Sequence, residues 1–464
     1  MTDPADLTVL ELLPRLSSRE LSSREVVQAC LARIDALEPQ VRAFVTRTDE
    51  AALIAAAAVD EARATGRPLG PLAGVPLGLK DLYETAGLRT AAGSGPGGPL
   101  EHHIPTTDST VWARLRDAGC VLLGKLTTHE FAYGTSTPPT GNPWDLTRTP
   151  GGSSGGSAAA LAARMLPLAT GSDTIGSLRL PASVCGTASM RPTYGRSSRA
   201  GVIALSWSLD TTGVMARRLG DIAYATRVIA GRDPRDPSTA DVPVPDYPLE
   251  AAPDLRGRRL GVPTSFYWDD LDPGVEAVCR AALDTLHELG ATLVDVPVPE
   301  GNAEWDEAPL TVLLVESASY HATLPPGTVS QAVRGFLDLG ATLPATAYLD
   351  AQRRRGRSVR AWSAVFADLQ LDAVVCPTAI APPGARGTSN EQAGEQVSMR
   401  NITTWSTNGF PSITVPAGLD RSGLPVGLML GGPPFTEDGL LGLGLAYEAA
   451  VPFWRDARPA LVSP

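Results

Sequence analysis

The chain has 464 residues, a formal net charge of −11, and 43% hydrophobic residues. That length and apolar content allow a large buried core, built as one big α/β domain or two ordinary ones. The acidic balance argues against broad electrostatic binding of a phosphate backbone, so nucleic acid is not an expected partner. A local basic groove stays compatible with this balance.

The N-terminal stretch MTDPADLTVLELL carries acids where a secretory signal needs basic residues. No apolar run approaches the length of a membrane span. A cytoplasmic protein is therefore expected, with no membrane partner. Ser22–Leu37 reads as a helix: Ser22 and Glu25 fit a capping box, and Val26, Val27, Cys30, Leu31 and Ile34 recur at helical spacing. A second helix is predicted over Glu50–Thr65, including the Ala-rich run Ala51–Val59. In GPLAGVPLGLKDLYETAG a short apolar strand leads to Lys80. Val111–Ala118 looks helical, and Cys120–Gly124 is a buried strand ending at Lys125. From Thr135 to Ser157 nearly every residue is a turn former, and long loops inside a compact domain tend to be functional. A helix then opens at about Ser157, and a strand, Leu166–Thr170, runs into a second turn. Beyond Arg217, helices are predicted at Leu219–Ala230, Gly274–Leu289 and Gln352–Leu369, and strands at Arg259–Val262, Thr292–Val296 and Asp372–Val375. No repeat or linker divides the chain, and the alternation indicates a layered α/β fold.

Five cysteines (Cys30, Cys120, Cys185, Cys279 and Cys376) lie far apart and show no CxxC pairing. They read as reduced thiols rather than as a disulfide framework or a zinc site. The lysines are more pointed. Of 39 basic residues only two are lysine, Lys80 and Lys125. Lysine can lose its proton when desolvated and arginine effectively cannot. Each lysine is thus either a candidate neutral amine or a structural ammonium group.

Two Gly/Ser-rich turns carry the remaining signal. GGSSGGS (151–157) opens a helix, and GSDTIGS (171–177) closes a strand, placing Ser177 24 residues after Ser153. Such turns expose backbone N–H groups suited to a phosphate or an oxyanion. The phosphate reading lacks a GxxxxGK[ST] motif. Five histidines exist, none in a GxSxG elbow and none at metal-ligand spacing. His102 and His103 read as surface loop, His287 as solvent-facing, and Asp269–Asp270 as a turn.

These segments carry a resemblance. TPGGSSGGSAAALAA, GSDTIGSLRLPASVCGTASMRPTYGRSSRAGV, GVPLGLKDLYETAGLRTAAGS, GKLTTHEFAYGTSTPPTGNPWD, DAVVCPTA and GFPSITVPAGLDRSGLPVGLMLGG together resemble the amidase-signature family of serine hydrolases. The resemblance implies a single α/β/α domain over 1–464, with a central twisted mixed sheet surrounded by helices. Its motif block lies at about 71–218, and its C-terminal core strands at about 370–432. The segment 232–347, with Trp268 and Trp305, departs most and is expected either to wall the substrate pocket or to be ordinary surface. Carried over, the family's catalytic lysine falls on Lys80, its bridging serine, usually in a cis peptide, on Ser153, and its nucleophile on Ser177. Ser154, Ser172 and Asp173 are expected to support them, and Lys125 to make a structural ion pair. The implied oxyanion hole is the N–H groups of Thr174, Ile175, Gly176 and Ser177, such donors being worth about 3 kcal/mol each in the transition state.

The implied chemistry is cleavage of C–N bonds in small amides, including aryl amides, and in carbamates, without metal or organic cofactor, by a monomer or homodimer. Alternatives are an amidotransferase A-subunit-like amidase working in a complex, or an amidase-fold binding protein that has lost catalysis. One departure bears on this choice. The family reads DTGGS or DIGGS where this chain has DTIGS, so Ile175 stands at a glycine position. If that glycine serves a positive φ, isoleucine there is strained; if it serves space, isoleucine reshapes the pocket.

Overall fold

The computed structural model describes residues 3–252, 254–325, 327–387 and 399–462. Its eleven strands are β1 (Phe44–Arg47), β2 (Pro76–Lys80), β3 (Val121–Leu126), β4 (Leu168–Asp173), β5 (Ala188–Arg191), β6 (Thr211–Ala216), β7 (Arg259–Pro263), β8 (Thr292–Val296), β9 (Ala373–Pro377), β10 (Ser412–Leu419) and β11 (Pro425–Gly431). They form one sheet in the order β1-β3-β2-β4-β6-β5-β10-β11-β9-β7-β8. Parallel pairs lie toward both ends (β3–β2, β2–β4 and β9–β7, β7–β8), and the middle is antiparallel. Every residue of β2, β4, β5, β6, β9 and β11 is buried, because helices cover both faces. Edge strands β1 and β8 are partly exposed, as a sheet edge should be. This is a single α/β domain with a large mixed sheet surrounded by helices. No helix of the described residues is long and apolar enough to cross a membrane.

The capping box at Ser22 forms as its chemistry requires. Ser22 Oγ accepts from Glu25 N at 3.1 Å, and Glu25 Oε2 accepts from Ser22 N at 2.8 Å. That helix continues to Val41 and stops where Arg42 adopts a left-handed conformation. Two boundaries move in ways that matter. The strand before the second turn runs on through Gly171, Ser172 and Asp173, because β6 pairs with them in register. Lys125 lies inside β3 rather than beyond it.

The chain between 302 and 343 contains helices Ala308–Tyr320 and Gln331–Thr342, which the periodicity did not reveal. The buried residues of the first, Ala308, Pro309, Val312, Leu313, Leu314, Glu316 and Ser317, are not confined to one stripe, so its amphipathic signal is weak. The two helices build a second, smaller core with Leu82, Phe131 and Leu205, beside the main one.

Helix Arg179–Cys185 follows the second Gly/Ser turn and lies against β11. The approach is close: a Cβ on Gly427 would stand 2.6 Å from Ser183 Oγ and 2.8 Å from Ser183 Cα. Gly427→Ala is therefore expected to cost about 1–3 kcal/mol of stability, read as a lower midpoint in urea unfolding.

Candidate active site

β2 and β4 are parallel neighbours, so Lys80, at the end of one, lies beside Ser172 and Asp173, at the end of the other. Lys80 N donates to Thr170 Oγ1 at 2.9 Å, which fixes the strand ends together. The Lys80 side chain is fully buried and meets three hydroxyls: Ser153 Oγ at 2.8 Å, Ser154 Oγ at 2.9 Å and Ser172 Oγ at 2.9 Å. No carboxylate among the described residues forms an ion pair with it. Burial lowers its pKa to about 7, against the weaker opposing pull of Asp210 and Asp173. Lys125 has a different setting. It donates to Tyr83 O at 2.6 Å and Thr90 Oγ1 at 2.7 Å, and lies 3.4 Å from Asp81 Oδ1, a structural ion pair.

Ser153 and Ser154 sit just before helix Gly155–Ala162, and the Gly152–Ser153 peptide is cis. The loop leading to them is largely buried and tied by side chains. Thr137 Oγ1 donates to Gly151 O at 2.9 Å and accepts from Gly155 N at 3.1 Å, while His129 N donates to Ser153 O at 3.3 Å.

The second turn is organised by Asp173. Its buried carboxylate accepts from Arg179 Nε at 2.9 Å, Arg179 Nη2 at 3.0 Å, Arg191 Nη1 at 2.8 Å, Gly176 N at 2.7 Å and Leu178 N at 3.2 Å. The arginines hold it well below the usual carboxylate range despite its burial. Arg179 also reaches Ile402 O and Ser406 Oγ, both at 2.7 Å, tying the turn to helix Arg400–Asn408. Neither arginine was singled out from the sequence. Their signal was present only as the two charged residues of the otherwise uncharged stretch Ser177–Pro192.

This clamp bears on the expected oxyanion hole. The Gly176 N–H is spent on Asp173, so it leaves the set of free donors. The N–H groups of Thr174, Ile175 and Ser177 make no hydrogen bond among the described residues. Positive φ in the turn falls on Gly176 (φ 111°), not on Ile175, so the isoleucine is not strained in that way. A Cβ on Gly176 would lie 2.2 Å from Ile402 Cδ1.

Ser177 and Ile175 line a cavity of about 360 Å³, together with Tyr133, Leu313, Phe336 and Met399. The Ser177 hydroxyl has no hydrogen-bond partner among the described residues. The structure thus brings Lys80, Ser153, Ser154 and Ser172 together, and leaves the Ser153–Ser177 link unmade. Catalytic hydrogen bonds are often long in the absence of substrate and tighten when it binds. The segment 306–336 supplies one wall of the cavity. Trp268 and Trp305 are buried elsewhere; Trp268 lies under the Arg280 guanidinium, 4.2 Å away. All five cysteines are free and buried. Among the described residues no group of three or more His, Cys, Asp or Glu could hold a metal ion.

The buried lysine in its hydroxyl cage lies near the cavity lined by Ser177, and the family model described as Amidase matches residues 25–441. The chain belongs to the amidase signature family. It is 42% identical to the A subunit of the glutamyl-tRNA(Gln) amidotransferase of Myxococcus xanthus, over 98% of this chain and 99% of that one. It is 41% identical to an amidase of Pseudomonas putida, over 100% and 99%. Among solved structures, the peptide amidase of Stenotrophomonas maltophilia matches with a TM-score of 0.85 at 34% identity, over 97% and 98% of the two chains. This amidase signature enzyme acts on C–N bonds.

If Lys80 is the base, only its neutral form works. kcat/KM is then expected to rise with pH up to about 7 and level off above it. Lys80→Arg is expected to lower kcat on the order of 10⁴-fold, because the guanidinium stays charged; a pH–rate profile and a p-nitroanilide assay check both.

Proposed function

We propose that this amidase signature hydrolase cleaves small amides with an apolar acyl group, through an acyl-enzyme on Ser177. The observation that carries this reading is the cavity. Leucine, phenylalanine, methionine and isoleucine side chains line it beside Ser177, and no Lys, Arg or His does so among the described residues. An acyl group bound to Ser177 would occupy this space. Burial of its apolar surface contributes about 0.8 kcal/mol per methylene.

In the proposed sequence, neutral Lys80 takes a proton from Ser153, which takes one from Ser177. Ser177 attacks the carbonyl carbon. The developing oxyanion meets the free N–H groups of the 174–177 turn. The proton returns through Ser153 to the leaving nitrogen, the C–N bond breaks, and water hydrolyses the ester. A carbamate would use the same relay through a carbamoyl-enzyme, so aryl carbamates are included as substrates. Ser154 and Ser172 act on the Lys80 amine, and Asp173 positions the turn.

The second reading is glutamine hydrolysis within an amidotransferase complex. It is supported by several relatives that are A subunits of glutamyl-tRNA(Gln) amidotransferases, at 38–42% identity over nearly the whole chain. Against it stands the cavity, which offers no cation among the described residues to the α-carboxylate of glutamine.

Ammonia release from a primary-amide series, from acetamide to hexanamide and phenylacetamide, with L-glutamine and an aryl carbamate alongside, separates these readings. The proposal expects kcat/KM to rise roughly fourfold per methylene until the cavity is filled. It also expects glutamine to fall below the apolar amides, and Ser177→Ala to abolish every rate. A preference for glutamine over hexanamide and phenylacetamide would favour the amidotransferase reading instead.

A further inference from the structure

One wall of the cavity ends a line of hydrogen bonds that starts from a fixed donor. Trp362 Nε1 can only donate, and it gives its hydrogen to Asn302 Oδ1 at 3.0 Å. Asn302 therefore turns its donor nitrogen toward the Tyr267 hydroxyl, 3.5 Å away. Tyr267 has one hydrogen to give, and Thr404 Oγ1 lies 2.6 Å from it. Thr404 in turn donates to Asp306, its Oγ1 standing 3.0 and 2.9 Å from the two carboxylate oxygens. With Asp306 ionised, Thr404 donates to it and Tyr267 to Thr404, so the line runs toward Asp306. Trp362, Asn302, Tyr267 and Thr404 are all buried, so the line is rigid and dry.

Asp306 is half-buried and lines the cavity that holds Ser177. Thr404 is its only hydrogen-bond partner among the described residues, and no cation of those residues pairs with it. Burial without a counter-charge pushes its carboxyl well above the usual carboxylate range. Glu307 adds a second acid to the same lining. Without a cation the Asp306 carboxyl is held toward its neutral form, and a ligand that supplies the cation stabilises the ionised form.

We propose that Asp306 is a specificity-determining residue that receives a basic amine carried on the substrate's acyl group, away from the scissile bond. The favoured substrates are then amides with an apolar middle and an ammonium group at the far end. The amine reads Asp306 while the carbonyl reaches Ser177, and the apolar walls hold the span between them. A carboxylate in the same place would face two acids and no cation. The inference rests on the amidase reading of this cavity and deepens it.

Binding tests it independently of turnover. Dissociation constants are measured by titration calorimetry on the Ser177→Ala protein for 4-(aminomethyl)benzamide, its neutral isostere 4-ethylbenzamide, and the anionic 4-(carboxymethyl)benzamide. The amine is expected to bind at least about tenfold tighter than the ethyl compound, as a charge-assisted hydrogen bond allows, and the anion weakest. Adding Asp306→Asn, which keeps an acceptor for Thr404, should erase the amine's advantage and leave 4-ethylbenzamide binding within about threefold. Equal binding of amine and ethyl compound, tighter binding of the anion, or an advantage that survives Asp306→Asn overturns the proposal. The amine–neutral–anion order on the Ser177→Ala protein stands without the second substitution, should that variant fail to fold. Hydrolysis by the unmodified enzyme is scored separately: no ammonia from any of the three amides counts against the amidase reading, not against the binding order.

Discussion

The site depends on burying an amine without giving it a counterion. Lys80 is fully enclosed and touches only hydroxyls, so its charged form is the expensive one. A carboxylate at ion-pair distance would hold the proton on the amine and rule out the proposed use of Lys80 as a base. The nearest acids are therefore occupied elsewhere. Asp173 is gripped by Arg179 and Arg191. Asp210 accepts from Thr174 Oγ1 and from two backbone N–H groups. The contrast with Lys125 makes the point: equally buried, it sits 3.4 Å from Asp81, whose charge opposes the lowering of its pKa by burial.

The same arginine clamp that occupies Asp173 shapes the turn that carries Ser177. Because Asp173 draws in the N–H groups of Gly176 and Leu178, the turn closes tightly around its carboxylate. The left-handed residue of that turn is Gly176, where a side chain would strike Ile402. Ile175 is left to face the cavity, where it packs against the second core. The end of the site that holds Lys80 and Ser177 is thus built by the central strands and their connecting turns. The far wall is built by helices of the 302–343 segment, so pocket shape can vary without disturbing the lysine cage.

The meeting of Lys80 with Ser153 was legible because both stand in short motifs with few chemical solutions. The scarcity of lysine singled out Lys80 and Lys125, and the two Gly/Ser turns marked Ser153 and Ser177. The Ser22 helix was readable because its capping box and apolar stripe are local. The pairing of β6 with residues 171–173 was not readable, since strand length there is set by a partner 40 residues away. The arginine clamp on Asp173 was hidden for a related reason: Arg191 comes from β5 and meets Asp173 only in the folded chain. Asp306 carried no signal at all, because its meaning lies in a line of side chains drawn from four separate segments.

With only two lysines in the chain, the protonation state of Lys80 can be observed directly. The protein is labelled with lysine carrying ¹³Cε and ¹⁵Nζ, and the two signals are assigned with a Lys125→Arg variant and followed from pH 5 to pH 11. A Lys80 signal that titrates near pH 7 would establish the neutral amine on which the account depends. A Lys80 signal that stays charged above pH 9 would contradict it, since the hydroxyl cage would then hold an ammonium ion unable to accept the serine proton.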